Sequence, residues 1–449
     1  MPKISWRLLL LIFIVTVLLR WSYSCYSERI SRDYQRHYIA AKTVVAGENP
    51  YLRKTPKFKY PLFNAILLSP LSFFNIYLSQ SLWFGLCVVL ILGICSMTGA
   101  LLGREKMHFP LWLWLIPIFI SARFFWMNLK LGQINTLVFY FTVLGLYLMD
   151  VRNKKWIGGG FIGLASVMKY MPILFIFYFA LKKRWKECLG MLLGFIVCFF
   201  IIPVMFLGVR KTIEYSKDFF SQGTERVEYM VSKDYVVGQS IHSLLYSLLT
   251  PVDVSNKGVS GDKLDTDIPL NPDDVSNKDI SGDKLDTHTP VYINLLNVEA
   301  SLAKTAARLF CLAVIIGAGC FLWKQRNINY SMMGLPKHIW EYGLVLMIML
   351  IISPEARKAQ FLTTYIPYAA SLTGYFILSQ KDSKKANWFL ILIILSQILM
   401  WGTSRKFVGK DLEKWFNYYS SVGWSAVILA IAMIFGLLSG KEKQFEERK

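Results

Sequence analysis

The sequence is short of acid and of charge altogether. Its 449 residues hold 29 Asp and Glu against 50 Lys and Arg, a formal net charge of +21, and only 18% are charged. Soluble domains carry roughly 25%. With 54% hydrophobic residues gathered in runs near the length of a membrane helix, a water-soluble globular protein is excluded. Paired cysteines are missing too. Cys25, Cys87, Cys95, Cys188, Cys198, Cys311 and Cys320 sit mostly inside apolar runs without a repeated spacing. That excludes a disulfide scaffold or a zinc ribbon and leaves them as small apolar side chains. No phosphate-binding glycine loop and no dinucleotide fingerprint occurs, so no cofactor is expected. No small-x-small cleavage site follows Leu8–Leu19, so the first apolar run reads as a retained helix rather than a signal peptide.

What is present is a succession of apolar segments, near 6–26, 79–102, 109–123, 134–150, 157–168, 170–181, 187–207, 304–323, 339–352, 361–379, 388–402 and 423–440. They predict an all-α polytopic membrane protein with about 11–13 transmembrane or re-entrant helices. The pair 157–168 and 170–181 is too short to span comfortably. With Lys169 and Pro172 at its break, it reads either as a re-entrant hairpin or as one broken helix. Such irregular backbone is tolerated only inside protein or along a cavity.

A cytoplasmic N-terminus places the short basic loops GREK, DVRNKKW, KKRWKE, WKQRN and QKDSKK, and the tail 441–449, on the inner side. The outer segments are then 27–78, 123–132, 208–303, 353–360 and 402–422. They are basic as well, which topology does not require. An anionic ligand at the outer membrane surface would account for the excess, with no need for nucleic acid. Within 208–303, DVSNKGVSGDKLDT at 253–266 returns as DVSNKDISGDKLDT at 274–287. This tandem repeat, 253–290, is too polar to bury a core and reads as a disordered insertion. Asp262, Asp265 and Asp267 are close together but lack the EF-hand spacing, so no metal site is expected.

The segment 27–78 is the densest in chemistry. From Glu28 to Lys59 it has eight Lys or Arg and three carboxylates, Glu28, Asp33 and Glu48. Ser31–Ala46 reads as a helix stopped by Gly47, with Pro50 barring continuation. Asp33, His37 and Ala40–Ala41 fall on one face, and Arg32 and Arg36 flank the carboxylate. Asp33 is either a first-turn acid favoured by the helix dipole or a base that takes a proton from an acceptor hydroxyl, its basic neighbours holding phosphate. His37 either orients that carboxylate or packs beside it. The run 58–74, broken by Pro61 and Pro70 and carrying Tyr60, reads as an interfacial element, an anchor or one wall of a lipid groove. Arg123, Lys130, Gln133 and Asn135 lie at an outer helix mouth, where they either cap and snorkel or meet an anion. Lys169 is a cation inside an apolar region and so a candidate by default. Gln239 and His242, and the cluster Glu355, Arg357, Lys358 and Gln360, complete the outer polar groups.

The blocks RDYQRHYIAAKTVVAGENPY and FKYPLFNAILLSPL, then LGQIN at 131–135, GLASVMKYMP at 163–172 and ISP at 352–354, together resemble glycosyltransferase family 87. The resemblance covers most of the chain outside the repeat. It implies a GT-C-type fold with a large first outer loop. The implied activity is transfer of a hexose, mannose first, from a polyprenyl-phosphate sugar to a lipid or glycan acceptor. It also implies Asp33 as general base, donor contacts around Gln133, Asn135 and Lys169, and a bacterial plasma membrane with the site facing outward. Two departures stand out. Leu62 occupies the place of a usual second proline. Lys358-Ala359-Gln360 stands where many relatives have a histidine, so Gln360 cannot shuttle a proton there. The rival readings are a flippase or transporter of lipid-linked sugars, and a polymerase or ligase of lipid-linked glycans. The absence of two similar halves speaks against a transporter.

Overall fold

The computed structural model describes residues 30–52, 58–103, 110–230, 238–249, 298–326, 335–354 and 356–439, with 17, 20 and 296 singly. The first apolar segment, the tandem repeat, the 441–449 tail and Glu355 lie outside the described residues. What is described is an all-α polytopic membrane protein, in which six helices are long and apolar enough to cross a bilayer.

The first described element is α1 (Arg32–Val45), stopped where Gly47 turns to φ +73°. After Pro61 comes the short α2 (Leu62–Leu67), then a 3₁₀ turn (Ser69–Phe73) that starts around Pro70. The two prolines therefore punctuate the segment as expected. Asn75 caps α3 (Ile76–Leu101) by accepting from the Leu78 N–H. Helices α4 (Trp112–Leu131) and α5 (Asn135–Asp150) follow. Here the structure departs from the sequence reading. The helix expected over 109–123 runs on to Leu131, so Arg123 sits in its middle and not in a loop. Its guanidinium donates to Met400 O at 2.5 Å and Thr403 O at 2.8 Å. Those are carbonyls freed at the end of another helix, so the charge is satisfied within the bundle.

Helix α6 (Lys155–Met168) breaks at Lys169 (φ −153°, ψ 124°), and the chain returns through a 3₁₀ turn (Met171–Ile173) into α7 (Leu174–Leu181). This is a hairpin and not one broken helix. Lys169 lies beside Asn135 at one end of α5, while Arg184 reaches Asp150 at the other end at 2.8 Å. Sixteen helical residues separate those ends by about 24 Å. The far end is pinned by further polar contacts. Tyr342 donates to Asp150, Arg184 to Tyr342 at 2.6 Å, and Lys182 to Glu341 at 2.6 Å.

Helix α8 (Trp185–Leu207) packs alongside α6. It carries a π turn (Val197–Ile201) just before Pro203, whose ring removes a donor and crowds the preceding carbonyls. Glycines allow the two backbones to touch. A Cβ on Gly163 would fall 2.1 Å from Met191 O, and one on Gly194 2.2 Å from Gly160 O. This is the small-residue seam that membrane helices use where apolar burial gives no net drive.

The described part of the 208–303 segment is largely helical. It contains α9 (Val209–Met230) and α10 (Ile241–Leu249). Helix α9 straps the loop after α1, because Lys211 and Tyr215 both donate to Gly47 O at 2.8 Å and Gln222 donates to Tyr51 O at 2.7 Å. Then come α11 (Ala300–Lys324), α12 (Lys337–Ile352) and a 3₁₀ turn (Lys358–Thr364) leading into α13 (Tyr365–Ser379). The last three are α14 (Ser383–Trp401), α15 (Arg405–Tyr418) and α16 (Ser421–Ser439). Helix α12 buries every residue from Ile339 to Ile351, as a mostly apolar helix at the centre of a bundle does, with the buried Glu341 paired to Lys182. The outer segment 402–422 carries the amphipathic α15, two helical pieces joined at a kink at Gly409 (φ +80°).

Candidate active site

Four separate chain segments meet at Asp33. The start of α1 is held against the turn between α4 and α5. The Ser31 N–H donates to Gln80 Oε1 at 2.9 Å, and the Ser31 hydroxyl to Lys130 O at 2.8 Å. Gly132 makes that approach possible. It closes α4 in the left-handed conformation (φ +63°), and a Cβ there would fall 2.6 Å from Tyr34 Cβ and 3.3 Å from Ser31 Cβ. Tyr34 hydrogen-bonds Ser79 on α3 and fixes the helix from the other side.

So placed, Asp33 Oδ1 accepts from Arg36 Nη1 at 2.9 Å and Oδ2 from Gln133 Nε2 at 2.7 Å. The side chain keeps 23% exposure. A carboxylate has about four acceptor positions, so one on each oxygen remains for a substrate hydroxyl. Gln133 Oε1 accepts from Asn135 Nδ2, which also donates to Asn128 Oδ1 at 3.0 Å. Lys169 Nζ donates to Asn135 Oδ1 at 2.8 Å. The break at Lys169 frees helix carbonyls, and one of them, Met168 O, takes the buried Asn64 amide at 2.9 Å.

His37 lies one turn along α1, 1% exposed, with its ring 4.6 Å from that of Tyr60 and neither nitrogen hydrogen-bonded. Burial pushes its pKa down to about 4; Asp33 opposes the shift, and Arg36 and Lys169 add to it. The imidazole is therefore neutral near pH 7.

A small, open cleft starts beside Lys169 and Asn135. It runs along α5 past Val138, Phe139 and Thr142, so it follows the helix for about two turns. Its other wall includes Leu346, Met349, Leu362 and Gln360. The site is thus a carboxylate and two cations at the head of a largely apolar groove.

The structure brings together Asp33, Arg36, His37, Tyr60, Gln133, Asn135 and Lys169, with Gln360 on the cleft wall. It places the others elsewhere. Arg123 and Lys358 form a second basic group at the end of α14, where Lys358 Nζ donates to Thr403 O at 3.2 Å and lies 3.9 Å from Glu413. Burial, with Arg123, lowers the Lys358 pKa to about 8, against the pull of Glu413. Gln239 donates to Asn417 O at 3.0 Å, and its backbone N–H to Ala356 O. His242 is buried, which lowers its pKa, as does Arg308. Lys130 and Arg357 are exposed. The Arg32 side chain and Glu355 lie outside the described residues. Sequence reasoning missed Ser31, Asn64 and Asn128, which hold the backbone around the site. For Asn64 and Asn128 the signal was a polar residue inside an apolar run; Ser31 gave none.

Residues 58–259 match the model for glycosyltransferase family 87. The range includes Tyr60, Asn64, Gln133, Asn135 and Lys169, while Asp33 precedes it. Comparison with curated proteins and with solved structures gave no match. Over the matched range, rather less than half of its length, the chain is similar to glycosyltransferase family 87.

Proposed function

We propose that the protein moves a hexose, mannose first among candidates, from a polyprenyl-phosphate sugar to a hydroxyl of a lipid or glycan acceptor. The reaction takes place at the outer face of the membrane, in bacteria the periplasmic or extracellular side. The observation that carries this reading is the juxtaposition of Asp33 with the Lys169 end of an apolar cleft. A polyprenyl chain lies in the cleft along α5, and its phosphate meets Lys169 and Arg36. Nucleotide sugars are cytoplasmic, so a site facing outward requires a donor carried by lipid.

The acceptor hydroxyl gives its proton to a free lone pair of Asp33, and its oxygen attacks the anomeric carbon. The bond from that carbon to the phosphate oxygen breaks on the opposite face, which inverts the configuration. The electron pair leaves on the phosphate, where the cations stabilise the growing charge. Gln360 lines the cleft wall but carries no proton to exchange. His37, neutral and tilted against the Tyr60 ring, shapes the wall beside the base.

The test is transfer from radiolabelled undecaprenyl-phosphate mannose to a crude membrane lipid extract by the protein in detergent. Asp33→Asn lowers turnover by about 10²–10⁴-fold, the usual worth of a positioned base. Equal rates in the two proteins refute the role of Asp33. No transfer by either, with lipid-linked sugar crossing reconstituted vesicles, favours the flippase reading, which the cleft and Lys169 would also suit.

A further inference from the structure

The contacts between Lys169 and Asp33 form a chain with a direction. An ammonium has donors only, so Lys169 can meet Asn135 only at its oxygen. That fixes the Asn135 amide, whose nitrogen then faces Gln133 Oε1 and Asn128 Oδ1. Both of its hydrogens are thereby used. With its oxygen taken, Gln133 has only its nitrogen to offer Asp33 Oδ2, which it does at 2.7 Å. Turning either carboxamide over would set oxygen against oxygen or donor against donor. Asn128 is itself locked, since its nitrogen donates to Ala359 O at 2.6 Å and Phe124 O at 2.8 Å. Its oxygen is thus committed to receiving from Asn135.

We propose that Lys169, Asn135 and Gln133 are positioning residues that wire the anion-binding end of the cleft to the base, so that the charge at Lys169 sets the orientation of the Asp33 carboxylate. The proposal rests on the reading of Asp33 as the base. An anionic phosphate at Lys169 competes with Asn135 Oδ1 for the ammonium. It thereby alters how firmly Gln133 holds Asp33, and by reciprocity the state of Asp33 alters the affinity for the phosphate. The base is held for the acceptor by the same charge that receives the leaving group.

Asn135→Asp separates this from packing. It is nearly isosteric and still accepts from Lys169, but it has no hydrogens to give Gln133. The chain predicts that Gln133 turns its oxygen toward Asp33 or loses its place. A packing role predicts a near-silent change, with damage confined to Asn135→Leu. Turnover is measured with radiolabelled undecaprenyl-phosphate mannose, and Asp33 is read independently by infrared spectroscopy. The carboxylate stretch that vanishes with Asp33→Asn is compared in the wild-type and Asn135→Asp backgrounds. The expected result is a drop in kcat of about 10–100-fold, the cost of misplacing a catalytic group by about 1 Å, with KM for the donor changed less, and a displaced Asp33 band. Gln133→Leu, on a half-buried side chain, gives the same band shift in case Asn135→Asp fails to fold. An unmoved band in both variants overturns the chain. Should Asp33→Asn retain full transfer, the base assignment falls, and the infrared comparison still decides whether Asp33 is wired to Lys169.

Discussion

Adding one methyl group at Gly132 tests how closely the site depends on backbone contact. Gly132→Ala introduces two costs. At φ +63° an L-residue is disfavoured by about 1–2 kcal/mol. The new Cβ also falls 2.6 Å from Tyr34 Cβ and 3.4 Å from Tyr34 Cα, whereas carbon atoms rest about 3.5–4.0 Å apart. Helix α1 must therefore move by about 1 Å, and Asp33 is on its first turn. A displacement of that size is enough for a rate loss of about 10²-fold, because the 2.7 Å bond from Gln133 to Asp33 spans the interface that opens. Gly103→Ala is the matched control. It has φ +70° and nothing within 4 Å of its added Cβ, so it carries the conformational strain without the collision. Both variants should unfold at lowered temperatures in detergent, Gly132→Ala the lower of the two, and only Gly132→Ala should lose most of its transfer rate. Equal activity in the two variants would show that the α1 contact does not set the site.

Three further outcomes follow from the same geometry. His37 has a folded pKa of about 4 against about 6.5 unfolded, so its contribution to stability is complete above pH 6.5 and is lost as pH falls toward 4. About 3 kcal/mol is at stake, and thermal unfolding from pH 7.5 to 4.5 should be flatter in His37→Phe than in wild type; parallel curves would contradict the buried neutral imidazole. Asn64→Leu leaves Met168 O without its buried donor, costing about 1–3 kcal/mol and loosening the turn at Lys169. Lower donor affinity together with a lower melting temperature is the expected pair, and unchanged affinity would count against that turn as a phosphate site. Gly163→Leu forces a side chain where Met191 O allows no Cβ, so α6 and α8 separate. Size-exclusion chromatography should show loss of the folded, monodisperse protein, and a well-behaved active variant would deny the close helix seam.

The order of apolar runs and the prolines and glycines between them determined a great deal. A helix needs only local hydrogen bonds, and a run of apolar residues in lipid has few alternatives to one. For that reason α1, the interrupted element around Pro61 and Pro70, and the break at Lys169 were legible in the chain. So were the candidate residues in the blocks around Asp33, Gln133 and Lys169, once their order resembled that of a known family.

Tertiary structure decided which polar residues meet. Arg123 and Lys169 look alike in the sequence, each a cation beside an apolar run. One is spent on the carbonyls at the end of α14, and the other is turned toward Asp33 through two amides. The sequence cannot separate them, because the partner of a buried polar group is chosen by whatever donor or acceptor the packing leaves unsatisfied, often a hundred residues away. The same holds for Gly132. Its local role as a helix stop was open to reading, but the lack of room for a Cβ beside Tyr34 exists only when α1 is laid against α4.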